Sequence, residues 1–213
     1  MVRVVLLACA FLLLGLNAGW AASKDLGIRP LTQQTPYWCW AAVSEMMFKH
    51  YDVPIARNNR FQCDLVSLIL GGRCAADCRL CANRPIGTAQ RFADSLVAYQ
   101  ALVGKKGFAV EIDRILTFDA LVAQINAGDP VIAGISPSGV EYDVGMSEHA
   151  VLIVGYNTAG RGALKINDPM PYDTTPPYIR AGGKQVEAGA YWIGFDEFVN
   201  RLVYRDTLIA VRK

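Results

Sequence analysis

The sequence predicts an α+β fold, with an N-terminal helical lobe packed on a C-terminal antiparallel β-sheet lobe, from three observations. In the first half of the chain apolar residues recur at helical spacing. In the second half short apolar runs are separated by turns containing glycine and proline. No repeat, low-complexity tract or linker divides the 213 residues, whose 53% hydrophobic content is enough for one sizeable core.

Residues 1–22 carry one charge, Arg3, followed by the apolar run Val4 to Leu16 and the small-residue ending Ala18-Gly19-Trp20-Ala21-Ala22. This is the pattern of a secretory signal peptide, with cleavage after Ala21 or Ala22. The domain is then expected to span 23–213, in a periplasmic or extracellular setting. The run is too short for a comfortable membrane span and no second long apolar stretch follows, so no stable membrane association is expected. The formal net charge is +2, falling to about +1 once Arg3 is removed, and no lysine or arginine run stands out. Nothing in this balance points to nucleic acid, and a monomer is expected.

Removal of Cys9 leaves Cys39 and a cluster of four, Cys63, Cys74, Cys78 and Cys81. In an oxidising compartment the cluster reads as two disulfides of open pairing, the alternative being an all-cysteine zinc site. Either way Cys39 is left over. It lies in Gln33-Gln34-Thr35-Pro36-Tyr37-Trp38-Cys39-Trp40, where Thr35 can cap a helix and Pro36 fits its first turn. A thiolate is favoured at such a helix start. The competing reading is a structural cysteine in an aromatic cluster.

The helix from Pro36 carries Val43, Met46 and Met47 at apolar spacing and runs to about His50, before Asp52-Val53-Pro54 stops it. Residues 55–87 read as a compact stapled region with one short helix over 64–70. Ala89 to Val103 is a further helix ended by Gly104. Phe108 to Ile112 reads as a strand, 117–127 as a helix capped by Thr117, and 130–135 as a strand. After a loop over 137–147 come the strongly apolar strand His149 to Tyr156 and the strand Ala163 to Ile166, joined as a hairpin through Gly160 and Gly162. A proline- and glycine-rich loop over 170–188 precedes a strand near 191–194, a helix over 196–202 and a last strand over 207–211.

A thiol nucleophile needs a base, and the chain has two histidines. His50 lies eleven residues beyond Cys39 on the same helix, about three turns away, and cannot reach the sulfur. That leaves His149, at the start of a strand, as the candidate base. The adjoining strand ends in Asn167-Asp168, either of which could hold the imidazole and stabilise its cation.

The order Cys, His, Asn/Asp, with the nucleophile on an early helix and the other two on adjacent strands, resembles the papain-like cysteine peptidases. Cys39-Trp40-Ala41 is similar to that family's nucleophile and following aromatic residue, and His149-Ala150-Val151 through Gly155-Tyr156 to its histidine strand. The chain departs from papain proper at Pro36, where that group has a disulfide cysteine, and at Pro169, where it has a tryptophan. The Asp168-Pro169 ending and the short Cys39–His149 interval look more like the bacterial branch that includes leader-processing and effector proteases. The resemblance implies a peptide substrate, no cofactor or metal, and a catalytic set of Cys39, His149 and Asp168, the last preferred to Asn167. It also implies that Gln33, six residues before Cys39, donates to the oxyanion, with Gln34 as the fallback. A peptidoglycan endopeptidase or amidase with a similar core, an acyl transferase and a non-catalytic binding module on the same fold are the alternative readings.

Overall fold

A computed structural model describes residues 21–55, 60–138 and 148–212. Residues 1–20, which hold nearly all of the expected signal peptide, and residues 139–147 of the loop over 137–147 lie outside the described residues. The described chain opens with the short strand β1 (Ser23–Asp25), followed by α1 (Cys39–His50), α2 (Phe61–Leu70), α3 (Arg73–Ala76), a 3-10 turn over Cys78–Cys81, and α4 (Ala89–Leu102). The second half runs β2 (Phe108–Asp113), α5 (Phe118–Ala127), β3 (Val131–Ile135), β4 (His149–Asn157), β5 (Ala163–Asn167), α6 (Pro177–Arg180), β6 (Lys184–Glu187), β7 (Ala190–Gly194), α7 (Phe195–Arg201) and β8 (Tyr204–Arg212). The strands form one antiparallel sheet in the order β2-β8-β3-β4-β5-β7-β6, with β1 added on β4.

Strand β4 explains why residues 149–156 are apolar without alternation. Its even-numbered side chains Ala150, Leu152 and Val154 enter the core under the helical lobe, and Val151 and Ile153 enter a second core on the other face. A strand buried on both faces needs no polar side. Phe118 of α5, Ile179 of α6 and Phe198 of α7 border or enter that second core, so the sheet lies between two layers. Helix α1 is the counterpart in the first layer. Trp40 to Ser44 and Met46 to Phe48 are all buried on it, and Ser44 returns its hydroxyl to the Trp40 carbonyl at 2.8 Å. A helix apolar nearly all round belongs at the centre of a core.

Two sequence expectations are corrected, and one strand was not foreseen. Thr35 does not cap α1: the helix begins at Cys39, and the Thr35 hydroxyl donates instead to the Ala82 carbonyl at 2.9 Å. Together with the Trp38 Nε1–H bond to the Cys81 carbonyl at 3.1 Å, this ties the approach to α1 onto the cysteine-rich region. The 170–188 loop contains α6 and β6. These are four residues each, too short to show a periodicity, and α6 is favoured mainly by Pro177 in its first turn. Strand β1 had no sequence signal of its own because its three residues are held by pairing to Gly155–Asn157. A Cβ on Gly155 would lie 2.7 Å from the Lys24 carbonyl oxygen, so only glycine permits this approach.

The expected helix capped by Thr117 is present, its hydroxyl accepting from the Ala120 N–H at 3.3 Å. The four clustered cysteines pair as Cys63–Cys78 and Cys74–Cys81, and Cys39 is free. The thiolates that a zinc site would need are consumed in these bonds, which also suit an oxidising environment. The Cys63–Cys78 bond spans a sequence separation of 15. Replacing both residues by alanine should cost about 3 kcal/mol and lower Tm by about 6–12 °C. Thermal melts of the variant and the parent check this, and an unchanged Tm would mean that the bond leaves stability unaffected.

Candidate active site

Cys39 is the first residue of α1, and no side chain caps the helix there. The first N–H groups of the helix therefore lack a carbonyl one turn back and point toward the sulfur's side of the terminus. No acidic residue lies in this first turn to oppose a thiolate. His149 and the backbone N–H groups of Ala150 and Trp40 are placed to favour the anionic sulfur. Burial alone would push the thiol up, but these contacts and the imidazolium charge outweigh it and leave the Cys39 pKa lowered.

His149 reaches this position because it is the first residue of β4, which packs directly against α1. Its Nε2 lies 2.6 Å from Asp168 Oδ1 in a pair that is almost fully buried. An ionised carboxylate can only accept, so Nε2 carries the proton and Nδ1 is left to face Cys39. Burial would push the imidazolium down. The Asp168 charge and hydrogen bond, with a smaller part from Cys39, hold its pKa well above the ordinary histidine value.

Asp168 follows the last residue of β5 and is held by its own set of donors. Oδ1 also accepts from the Met170 N–H at 2.8 Å, and Oδ2 accepts from the Tyr172 hydroxyl at 2.8 Å. Despite burial, which raises a carboxyl, the His149 charge and these bonds keep its pKa lowered. Asn167 points the other way. Its Nδ2 donates to the Ile28 carbonyl at 2.8 Å inside the helical-side core, so it anchors the segment after β1 and does not orient the imidazole. Adjacent residues on a strand face opposite sides, which separates the two candidates.

Gln33 is buried, and its backbone N–H donates to the Pro169 carbonyl at 2.9 Å, tying the strand end that carries Asp168 to the approach to Cys39. Its Nε2 donates one hydrogen to the Thr35 carbonyl at 2.8 Å and retains a second; its Oε1 is buried without a partner. Gln34 is exposed, lines a separate depression beside the disulfides, and its backbone N–H is taken by Gln62. Sequence reasoning missed Tyr172 and Met170, because both lie in a loop whose composition carried no signal. It also missed the N–H of Ala150, a backbone group that no residue type reveals.

Cys39 and His149 share the wall of a largely apolar cavity of about 250 Å³, lined on the helical side by Tyr37, Trp40, Ile86 and Phe92 and on the sheet side by Ile132 and Leu208. On the other flank of His149 a second depression is formed by Pro137, Ser138, Met170, Tyr172 and Arg180. The loops over 137–147 and 170–188 thus flank His149 in their described parts. A free thiol with a favoured anionic form, a cationic base beside it and a carboxylate behind the base can perform nucleophilic attack on an acyl carbon.

No curated protein matches the chain in sequence. Among solved structures, 51 chains match, including the crystal structure of a candidate C39-like peptidase from Bacillus anthracis. That protein shares 10% identity, with 90% of this chain and 98% of the other aligned at a TM-score of 0.53, a likeness of fold. The sequence profile of the Peptidase_C39 like family matches residues 25–197, a span that includes Cys39, His149 and Asp168. The chain belongs to the Peptidase_C39 like family.

Proposed function

We propose that this chain is an exported cysteine peptidase that hydrolyses peptide bonds through a Cys39 thioester. The observation that carries the reading is the relay in which the half-buried free thiol of Cys39 meets the buried His149, itself held by Asp168 at 2.6 Å. Cys39 attacks the scissile carbonyl as a thiolate. The oxyanion forms against the Cys39 backbone N–H and the remaining Nε2 hydrogen of Gln33. His149 protonates the leaving amine, then takes a proton from the water that releases the acyl group, while Asp168 fixes the ring and stabilises its cation. The peptide would cross the two depressions that flank His149. Export would remove residues 1–22 before the domain 23–213 folds, and N-terminal sequencing of the secreted protein reads the cleavage point.

Incubation with a peptidyl epoxide followed by peptide mapping tests the nucleophile: one adduct is expected, on Cys39, and an unmodified Cys39 would overturn the reading. Gln33→Ala should lower kcat by about 100-fold or more with little change in KM, since the amide acts on charge that appears in the transition state. A kcat equal to the parent's would remove Gln33 from the oxyanion site.

A further inference from the structure

We propose that the cavity beside Cys39 is a specificity pocket for a cationic substrate side chain, lysine or arginine, with Asp206 as the residue that selects it. The inference rests on the peptidase reading above and adds a substrate class to it. Asp206 lines the cavity together with Gly134 and Ala150. These three residues form one row across the sheet, since Gly134 pairs with Ala150 on one side and with Asp206 on the other. In the next row the same positions are Leu152, Ile132 and Leu208, which fill their space. A row of alanine, glycine and aspartate leaves a recess in the sheet face whose one long side chain is a carboxylate.

That carboxylate is not spent on the fold. Oδ2 of Asp206 is buried and has no hydrogen-bond partner among the described residues, although Arg205 is close enough to lower its pKa against the larger, opposing effect of burial. A buried unpaired acceptor is costly, and a donor arriving from a ligand recovers that cost. The β3–β8 pairing slips between Gly134 and Ile135, so Arg205 is the extra residue of a bulge immediately before Asp206. Bulges of this kind re-aim a neighbouring side chain, here into the cavity. Glu148 adds a second carboxylate to the lining, its Oε2 accepting from Ser138, and the lining contains no lysine or arginine among the described residues. A largely apolar lining that includes two carboxylates suits a side chain that has a long methylene stem and a cationic head.

The test measures capture of Cys39 by a series of peptidyl vinyl sulfones in which each position in turn is Arg, Lys, citrulline, Leu or Glu. At one position the rate for Arg or Lys is expected to exceed that for citrulline and Leu by about 10- to 100-fold, the worth of one charge-assisted hydrogen bond. In Asp206→Asn and Asp206→Leu the Arg-to-Leu ratio at that position should fall to near one or below. Circular dichroism of each variant confirms that the ratio is read on folded protein. Capture of Cys39 with no cation preference at any position, or a preference that Asp206→Leu leaves intact, would overturn the pocket assignment while leaving the peptidase reading standing. Absence of capture by every reagent would overturn both.

Discussion

Replacing Cys39 by alanine is expected to lower kcat/KM for peptide cleavage by about 10⁵-fold or more while the protein stays folded. The size of the loss follows from the division of labour in the site: no other free cysteine is present among the described residues, and His149 has no second nucleophile to activate. The fold should survive because the sulfur is one atom at a helix start, and alanine is compatible with the first turn of α1. Any change in stability is expected to be small, since the sulfur is only partly buried and the His149–Asp168 pair stays in place. Kinetics on the purified variant, paired with a thermal melt, separate the two effects. Cleavage by Cys39→Ala at a rate near the parent's would rule out the thioester route.

Asp168→Ala should lower kcat/KM by about 100- to 10,000-fold and should also change its pH dependence. In the parent the reactive pair is a thiolate and an imidazolium. Activity therefore rises with pH through the lowered pKa of Cys39 and falls as pH passes the raised pKa of His149, giving a bell. The two limbs belong to the coupled pair and not to either residue alone. Burial alone would depress the imidazolium, and the Asp168 charge is the main effect that opposes it. Removing that charge must move the alkaline limb to lower pH and narrow the bell. Asp168→Asn keeps an acceptor for the Nε2–H and should recover part of the rate. Asn167→Ala is the contrast: it loses a buried bond to the Ile28 carbonyl and costs stability, yet the pH profile should keep its shape. An Asp168→Ala profile superimposable on the parent's would remove Asp168 from the site.

Much of this arrangement was legible in the sequence because it rests on residue types with few alternative uses. The strand over 149–156 is a long apolar run, the hairpin to 163–166 carries a turn signal and the helix expected from Pro36 carries a period, and Cys39 and His149 followed from counting cysteines and histidines. What stayed illegible depends on tertiary contact. The cap expected of Thr35 was lost to the Ala82 carbonyl, a contact 47 residues away in sequence. Tyr172 lies in a loop without periodicity and matters only because Asp168 folds back beside it. Asp206 was not singled out in the sequence; its place beside Gly134 depends on sheet register and on a bulge, neither of which leaves a trace in local composition.

The most direct measurement of the central claim is mass spectrometry of a peptide library digested by the secreted protein in water enriched in ¹⁸O. Hydrolysis through a Cys39 thioester is expected to yield new C-termini carrying ¹⁸O, and the Cys39→Ala variant should yield none. An intact library, labelled termini produced equally by Cys39→Ala, or products joined to an added amine in place of water would contradict it.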